Sequence, residues 1–274
     1  MNNKNFDIYI DYGSSKIRAA AFSKNDPIDN FYCESSSYLN HKDSSIEIEK
    51  IISNLEKNTD EYLDTVNLMI DGPKIQSISL SLFKTFDGSK LKNEDVQFMI
   101  QDAKQQVLRN YINQNILHII IKNYSIDNKD YSYLPTDVDC NSLSIDIMFI
   151  CLSKKTAQDL KIIFSKFDIS IKQIFCSSYT KSLNYKNNFI SNKNLSFIDI
   201  GFNKTSVICY NSNQINFFQI IPVGSNHITK DISKILNIDL IKSEKIKLFI
   251  DKEERLLDEK EYSLDLAKKI ISSR

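Results

Sequence analysis

Short, dense apolar blocks alternate along this chain with apolar residues spaced three and four apart, so strands and helices take turns. Residues 6–22 predict a strand hairpin, with a third strand near Phe31 and Tyr32 inside a polar stretch. Residues 46–55 carry apolar side chains at 48, 51, 52 and 55, one face of a helix. A new unit begins near Val66, where 66–70 and 75–83 read as strands broken by the turn signal Asp71-Gly72-Pro73. Asn93 is placed to cap a helix with Glu94 and Asp95 in its first turn and an apolar stripe of Val96, Met99, Ile100, Ala103 and Val107. Strands follow at 116–121, extended by 124–127, and at 143–152. Residues 156–167 are helical with Leu160, Ile163, Phe164 and Phe167 on one side, and 169–175 return as a strand. Together these make a compact α+β module. Residues 186–194 are polar and read as a linker.

A second hairpin spans 196–210, SFIDIGFNKTSVICY, and a third strand at 215–221 ends in the turn Pro222-Val223-Gly224. A helix over 227–236 aligns Ile228, Ile232, Ile235 and Leu236, a short helix lies within 240–249, and 251–262 is highly charged. Residues 262–273 have helical spacing at 262, 266 and 270 with basic Lys268 and Lys269. That pattern suits a packing helix or a weak amphipathic membrane anchor.

The two hairpins repeat each other. Residues 8–22, IYIDYGSSKIRAAAF, superimpose on 196–210 without a gap, so Asp11, Gly13 and Lys16 match Asp199, Gly201 and Lys204. The chain has only five glycines, and two of them hold equivalent places in this repeat. A repeated hairpin far apart in sequence implies two related halves facing one another. Glycine at each turn lets backbone N–H groups approach a phosphate, and an aspartate beside each turn suits a nucleotide with its Mg²⁺. Two unrelated hairpins with ordinary Asx turns would give the same local pattern.

Charge balance narrows the partners. Thirty-five basic residues offset 35 acidic ones, which leaves no electrostatic case for nucleic acid or an anionic membrane. The five cysteines are scattered without a CxxC, and His41, His118 and His227 are isolated, so a zinc site is not expected. Cys151 and Cys209 lie in apolar runs and read as small core residues. No apolar run approaches the ~20 residues of a membrane helix, and strand pattern begins almost at once, without a signal-peptide core. The expectation is a cytoplasmic, soluble chain.

Several stretches resemble one family, the bacterial cell-division protein FtsA of the actin-like ATPase superfamily. IDYGSSKIRAA and FIDIGFNKTSV resemble its first and second phosphate loops, and IPVGSNHITKDI resembles the segment after the second. SEKIK at 243–247 resembles the helix that lines its nucleoside pocket. LKNEDVQFMIQDAK and ILHIIIKNYSIDN resemble its inserted module, with His118, Tyr124 and Asp127 at matching positions. Phe202, Asn203 and Ser206 depart from the family's DIGGGTTD loop, where side chains at 202 and 203 would obstruct phosphate and Lys204 would supply a compensating charge. The chain also ends at Arg274, before the family's final third.

The resemblance implies an α/β, actin-like (ribonuclease H-like) two-lobed fold with an inserted SHS2-type α+β module and an incomplete second lobe. Residues 1–66 and 176–190 would form the first lobe, 67–175 the module and 191–274 part of the second lobe. It implies ATP and Mg²⁺ in the cleft, with Asp11 and Asp199 facing the metal. Gly13, Ser14, Ser15 and Lys16 would hold phosphates from one side, and Gly201, Lys204, Thr205 and the following Gly224 from the other. Glu244 and Lys247 would meet the ribose or adenine. It also implies FtsZ, further copies of the chain and downstream division proteins as partners, at the cytoplasmic face of the inner membrane at the division site, with slow or absent ATP turnover. A non-nucleotide scaffold like the actin-like platform of type IV pilus assembly, or a kinase of the same superfamily, are the other readings.

Overall fold

The computed structural model describes residues 5–26, 28–36, 44–135, 138–189, 193–250 and 264–273. The expected charged run at 251–262 and the stripe position 262 lie outside the described residues.

The first sheet grows from the N-terminal hairpin, β1 (Phe6–Tyr12) and β2 (Ile17–Ser23), with β3 (Asn30–Glu34) antiparallel beside β2. Two strands then add parallel to it, β4 (Thr65–Ile70) and β9 (Ser170–Cys176), giving the order β3-β2-β1-β4-β9. Parallel neighbours need a crossover. Helix α1 (Ser44–Thr59) supplies the first and seats Ile48, Ile51, Ile52 and Leu55 in the core, the face expected from their spacing. The second crossover, from β4 to β9, carries the whole inserted module. Strands 65–70 and 170–176 therefore belong to the first sheet, although the sequence reading assigned 67–175 to the module. The reason is that β4 is buried between β1 and β9 (Leu68 0 % exposed) and β9 pairs along β4, partnerships that strand patterning does not distinguish from those of module strands.

The module is a four-stranded sheet in the order β5-β8-β6-β7, from β5 (Ile75–Thr85), β6 (Gln114–Ile126), β7 (Lys129–Tyr131) and β8 (Ser142–Ser153), with α2 (Asn93–Asn110) against one face. Lys92, not Asn93, takes the position before the first turn of α2, and its N–H donates to Asp95 Oδ2 at 3.3 Å. Asp127 and Asn128 both adopt positive φ (48° and 66°) in the two-residue β6–β7 turn, a conformation that short polar side chains tolerate.

Strand β8 explains how the module is fastened. Its Ile145, Ile147, Phe149 and Cys151 enter the module core with Val96, Met99, Ala103 and Val107 of α2. Its Met148, Ile150 and Leu152 point the other way, into the larger core with the first sheet, Leu160 and Phe164 of α3 (Lys154–Ser165), and the last sheet. Burial on both faces over 147–152 is why that stretch, IMFICL, is an unbroken apolar run.

Helix α4 (Ser177–Lys186) follows β9 directly and packs on the third sheet, β10-β11-β12, from Asn194–Ile200, Thr205–Asn211 and Gln214–Ile221. Neither α4 nor β7 is evident from the sequence pattern, because α4 is rich in serine and its buried face is Ser177, Ser178 and Ser182. Helices α5 (Ser225–Leu236), α6 (Leu240–Phe249) and α7 (Leu264–Ser272) share a small core of Ile232, Ile246, Ile250, Ala267 and Ile270. Of the expected α7 stripe, Ile270 is spent on this packing together with Ala267, whereas Leu266 is 38 % exposed. Ile235 and Cys209, expected in the core, are exposed and half-buried respectively, whereas Cys151 is buried as expected.

Because β8 serves both cores, Phe149→Ala is expected to cost about 3–5 kcal/mol. Urea denaturation followed by circular dichroism should show one transition at a lower midpoint, not a separate melting of the module.

Candidate functional site

The two hairpins have the same register. In the first, Phe6 pairs with Ser23 and Asp11 with Arg18; in the second, Asn194 pairs with Asn211 and Asp199 with Ser206. Each turn spans four residues, 13–16 and 201–204. The turn requires the first glycine, because a Cβ on Gly13 would lie 2.6 Å from the Lys16 carbonyl oxygen; a Cβ on Gly201 would make a tight 3.2 Å contact with that of Lys204.

The turns line one cleft of about 1030 Å³, and ten of the twelve expected residues border it: Asp11, Gly13, Ser14, Ser15, Lys16, Asp199, Gly201, Lys204, Glu244 and Lys247. Thr205 and Gly224 do not. Thr205 Oγ1 donates to the Val223 carbonyl at 2.7 Å, and Gly224 is the residue before α5, packed so closely that a Cβ would sit 2.5 Å from the Gly201 and Phe202 carbonyl oxygens.

Lysines at the matched turn positions go opposite ways. Lys16 Nζ meets Glu34 at the surface, 2.7 Å away, beside Arg18. Lys204 turns inward and is only 5 % exposed. Its ammonium lies 2.8 Å from Asp71 Oδ2, 3.1 Å from Asp199 Oδ2 and 2.7 Å from Ser206 Oγ. The charge expected to compensate for lost glycines at a phosphate is therefore spent on two carboxylates. Phe202 is buried with its ring 5.6 Å from the Lys247 ammonium, and Asn203 Oδ1 accepts from Asn226 Nδ2 at 2.9 Å.

The loop also holds the start of α5, because the Ser225 and Asn226 N–H groups donate to the Gly201 and Phe202 carbonyls at 2.9 and 2.8 Å. On the nucleoside side, Lys247 Nζ contacts Glu244 Oε2 at 2.7 Å, Thr229 Oγ1 at 2.8 Å and the Ser225 carbonyl at 3.2 Å; Thr229 also donates to Glu244.

Cleft residues that the sequence reading passed over include Asp71, Ser177 and Lys181, with Ser178 fully buried beside them. Asp71 was read as a turn signal, while Ser177, Ser178 and Lys181 stand on the unrecognised α4. Ser177 Oγ donates to Asp11 Oδ1 at 2.9 Å, Lys181 pairs with Asp11 Oδ2 at 3.4 Å, and Ser178 Oγ donates to Asp71 Oδ1 at 3.0 Å. The corner is set from the module: the N–H of Cys176 donates to His118 Nε2 at 2.9 Å. Burial pushes the His118 pKa down to about 4, which keeps that nitrogen an acceptor. Burial likewise pushes the Cys176 thiol up to about 12, so it is inert.

The space is ample for a nucleotide. A divalent ion between Asp11 and Asp199 does not fit this arrangement, because each carboxylate already faces a lysine ammonium. Among the described residues, no three His, Cys, Asp or Glu side chains converge to hold a metal ion.

Comparisons with known proteins agree with this architecture. A solved PilM-PilN type IV pilus biogenesis complex matches over 97 % of this chain and 73 % of that one, with a TM-score of 0.66 at 10 % identity, a likeness of fold. Two paired hairpins around a cleft, with a strand–helix module inserted in the first half, define an actin-like fold. The family model for cell division protein FtsA matches residues 196–267, and that for the SHS2 domain inserted in FtsA matches 72–151. FtsA from Buchnera aphidicola subsp. Schizaphis graminum is 28 % identical over 159 residues, covering 58 % of this chain and 38 % of that protein. FtsA from Borreliella burgdorferi is 22 % identical over 214 residues, covering 72 % and 51 %. In these stretches the chain is FtsA-like at low identity, and its matches span about half or less of those relatives' length.

Two outcomes are expected. Between its ordinary value of 6.5 and about 4, His118 binds a proton in the unfolded chain but not in the folded one. Stability therefore falls as pH drops through that window, by up to about 3 kcal/mol. In thermal melts against pH, His118→Gln should flatten this acid limb. Gly224→Ala should cost about 1–3 kcal/mol by forcing α5 off the second turn, read as a lower urea midpoint.

Proposed function

We propose that this chain is a division adaptor of the FtsA type, which ties FtsZ filaments to the cytoplasmic face of the inner membrane at the division site. The observation that carries this reading is the SHS2-type module set into a frame of two register-matched hairpins. On this reading the chain associates with further copies of itself, and the module offers a surface to downstream division proteins. Among the described residues no helix is long and apolar enough to cross a membrane. Attachment on this reading is peripheral.

ATP is the ligand proposed for the cleft, where Gly13, Ser14 and Ser15 line the wall of the first turn. It would act as an assembly ligand with slow or no turnover, because Asp11 is already engaged by Ser177 and Lys181. One observation favours a second reading, an actin-like scaffold without nucleotide: Lys181, Lys204 and Lys247 are each paired with a carboxylate inside the cleft.

Sedimentation with FtsZ polymers tests the adaptor role. Saturable co-pelleting is expected, and its absence at every polymer concentration refutes the role. Titration with a fluorescent ATP analogue separates the two cleft readings. Saturable binding displaced by ATP supports the first, and no binding with or without Mg²⁺ supports the scaffold.

A further inference from the structure

We infer that the Lys204 ammonium takes the place of a divalent cation in this cleft and clasps the two halves of the molecule together without metal. The inference holds on either reading of the cleft's ligand.

Geometry comes first. An ammonium has three N–H donors, and Lys204 finds three acceptors. Asp71, just past the end of β4, belongs to the first half. Asp199 and Ser206 belong to the second hairpin. One cation therefore bridges carboxylates from opposite sides of the cleft, at hydrogen-bonding distance from each. Mg²⁺ would need oxygen ligands at about 2.0–2.1 Å in octahedral array, and the lysine carbon chain and ammonium fill that space.

Its surroundings are fitted to it. The side chain is 6 % exposed and that of Asp71 is 10 %. The Lys204 chain packs along its own turn, where a Cβ on Gly201 would lie 3.4 Å from Lys204 Cε. Ser206, fully buried opposite Asp199, is small enough to admit the ammonium and adds its hydroxyl. The other Asp71 oxygen takes a hydrogen bond from Ser178, which spreads the remaining negative charge. Lys16 is the internal control. It sits at the same turn position, yet with Glu34 on β3 within reach it stays at the surface. The inward course of Lys204 follows from Asp71 across the cleft, not from the turn.

Thermal melts of the nucleotide-free chain in EDTA and in Mg²⁺ test this directly. The native Tm is expected to be the same in both. Lys204→Ala leaves two buried carboxylates facing each other, so its Tm in EDTA should fall by about 5–10 °C and recover in part with Mg²⁺, which the freed carboxylates now bind. Asp71→Asn removes the partner from the other half and should raise amide hydrogen exchange in the turn 201–205 by about tenfold or more. A Tm rise of the native chain with Mg²⁺ overturns the inference, and that arm needs no variant to fold. Lys204→Ala with neither loss of stability nor a Mg²⁺ response, or unchanged turn exchange in Asp71→Asn, overturns it equally.

Discussion

The architecture depends on one strand, β8, whose second half (147–152) is buried on both faces. β8 gives Ile145, Ile147 and Phe149 to the module core and Met148, Ile150 and Leu152 to the main core. A strand that alternates between two cores cannot shift register by one residue without exchanging every side chain between them. That constraint places β6 as well, because β6 pairs along β8, and with it His118, which reaches back to the end of β9. The inserted module is therefore a fixed wall of the molecule rather than an appendage.

From that wall the cleft is built inward. His118 accepts the Cys176 N–H where β9 becomes α4, and the next two residues, Ser177 and Ser178, each hold an aspartate, Asp11 and Asp71. Lys181 and Lys204 complete the pairs from α4 and from the second hairpin. Charges removed from water are stable only when matched, and here the matching is internal. In this cleft Lys181, Lys204 and Lys247 are each paired with a carboxylate already in place.

Much of this was legible in the chain itself. The two hairpins match residue for residue, and their pairing registers match too, because the same alternation of inward and outward side chains dictates both. The helical faces of α1, α2 and α3 follow from apolar spacing, since burying a stripe is the main source of their stability. What escaped was α4, whose buried face is serine, and the role of Asp71, whose neighbours Gly72 and Pro73 marked it only as a turn. Polar helix faces carry no hydrophobic period, so pattern alone passes over them.

The sequence by itself determined most of the strands and helices, the duplicated hairpin and the presence of the module, because backbone preference and apolar spacing are local properties. Tertiary structure decided which sheet owns β4 and β9 and where each lysine points. Lys16 and Lys204 occupy the same position in matched turns and make opposite choices. A long, flexible cation goes to whichever carboxylate lies within reach. For Lys204 that carboxylate, Asp71, comes from a distant part of the chain, brought close only when the two halves fold against each other.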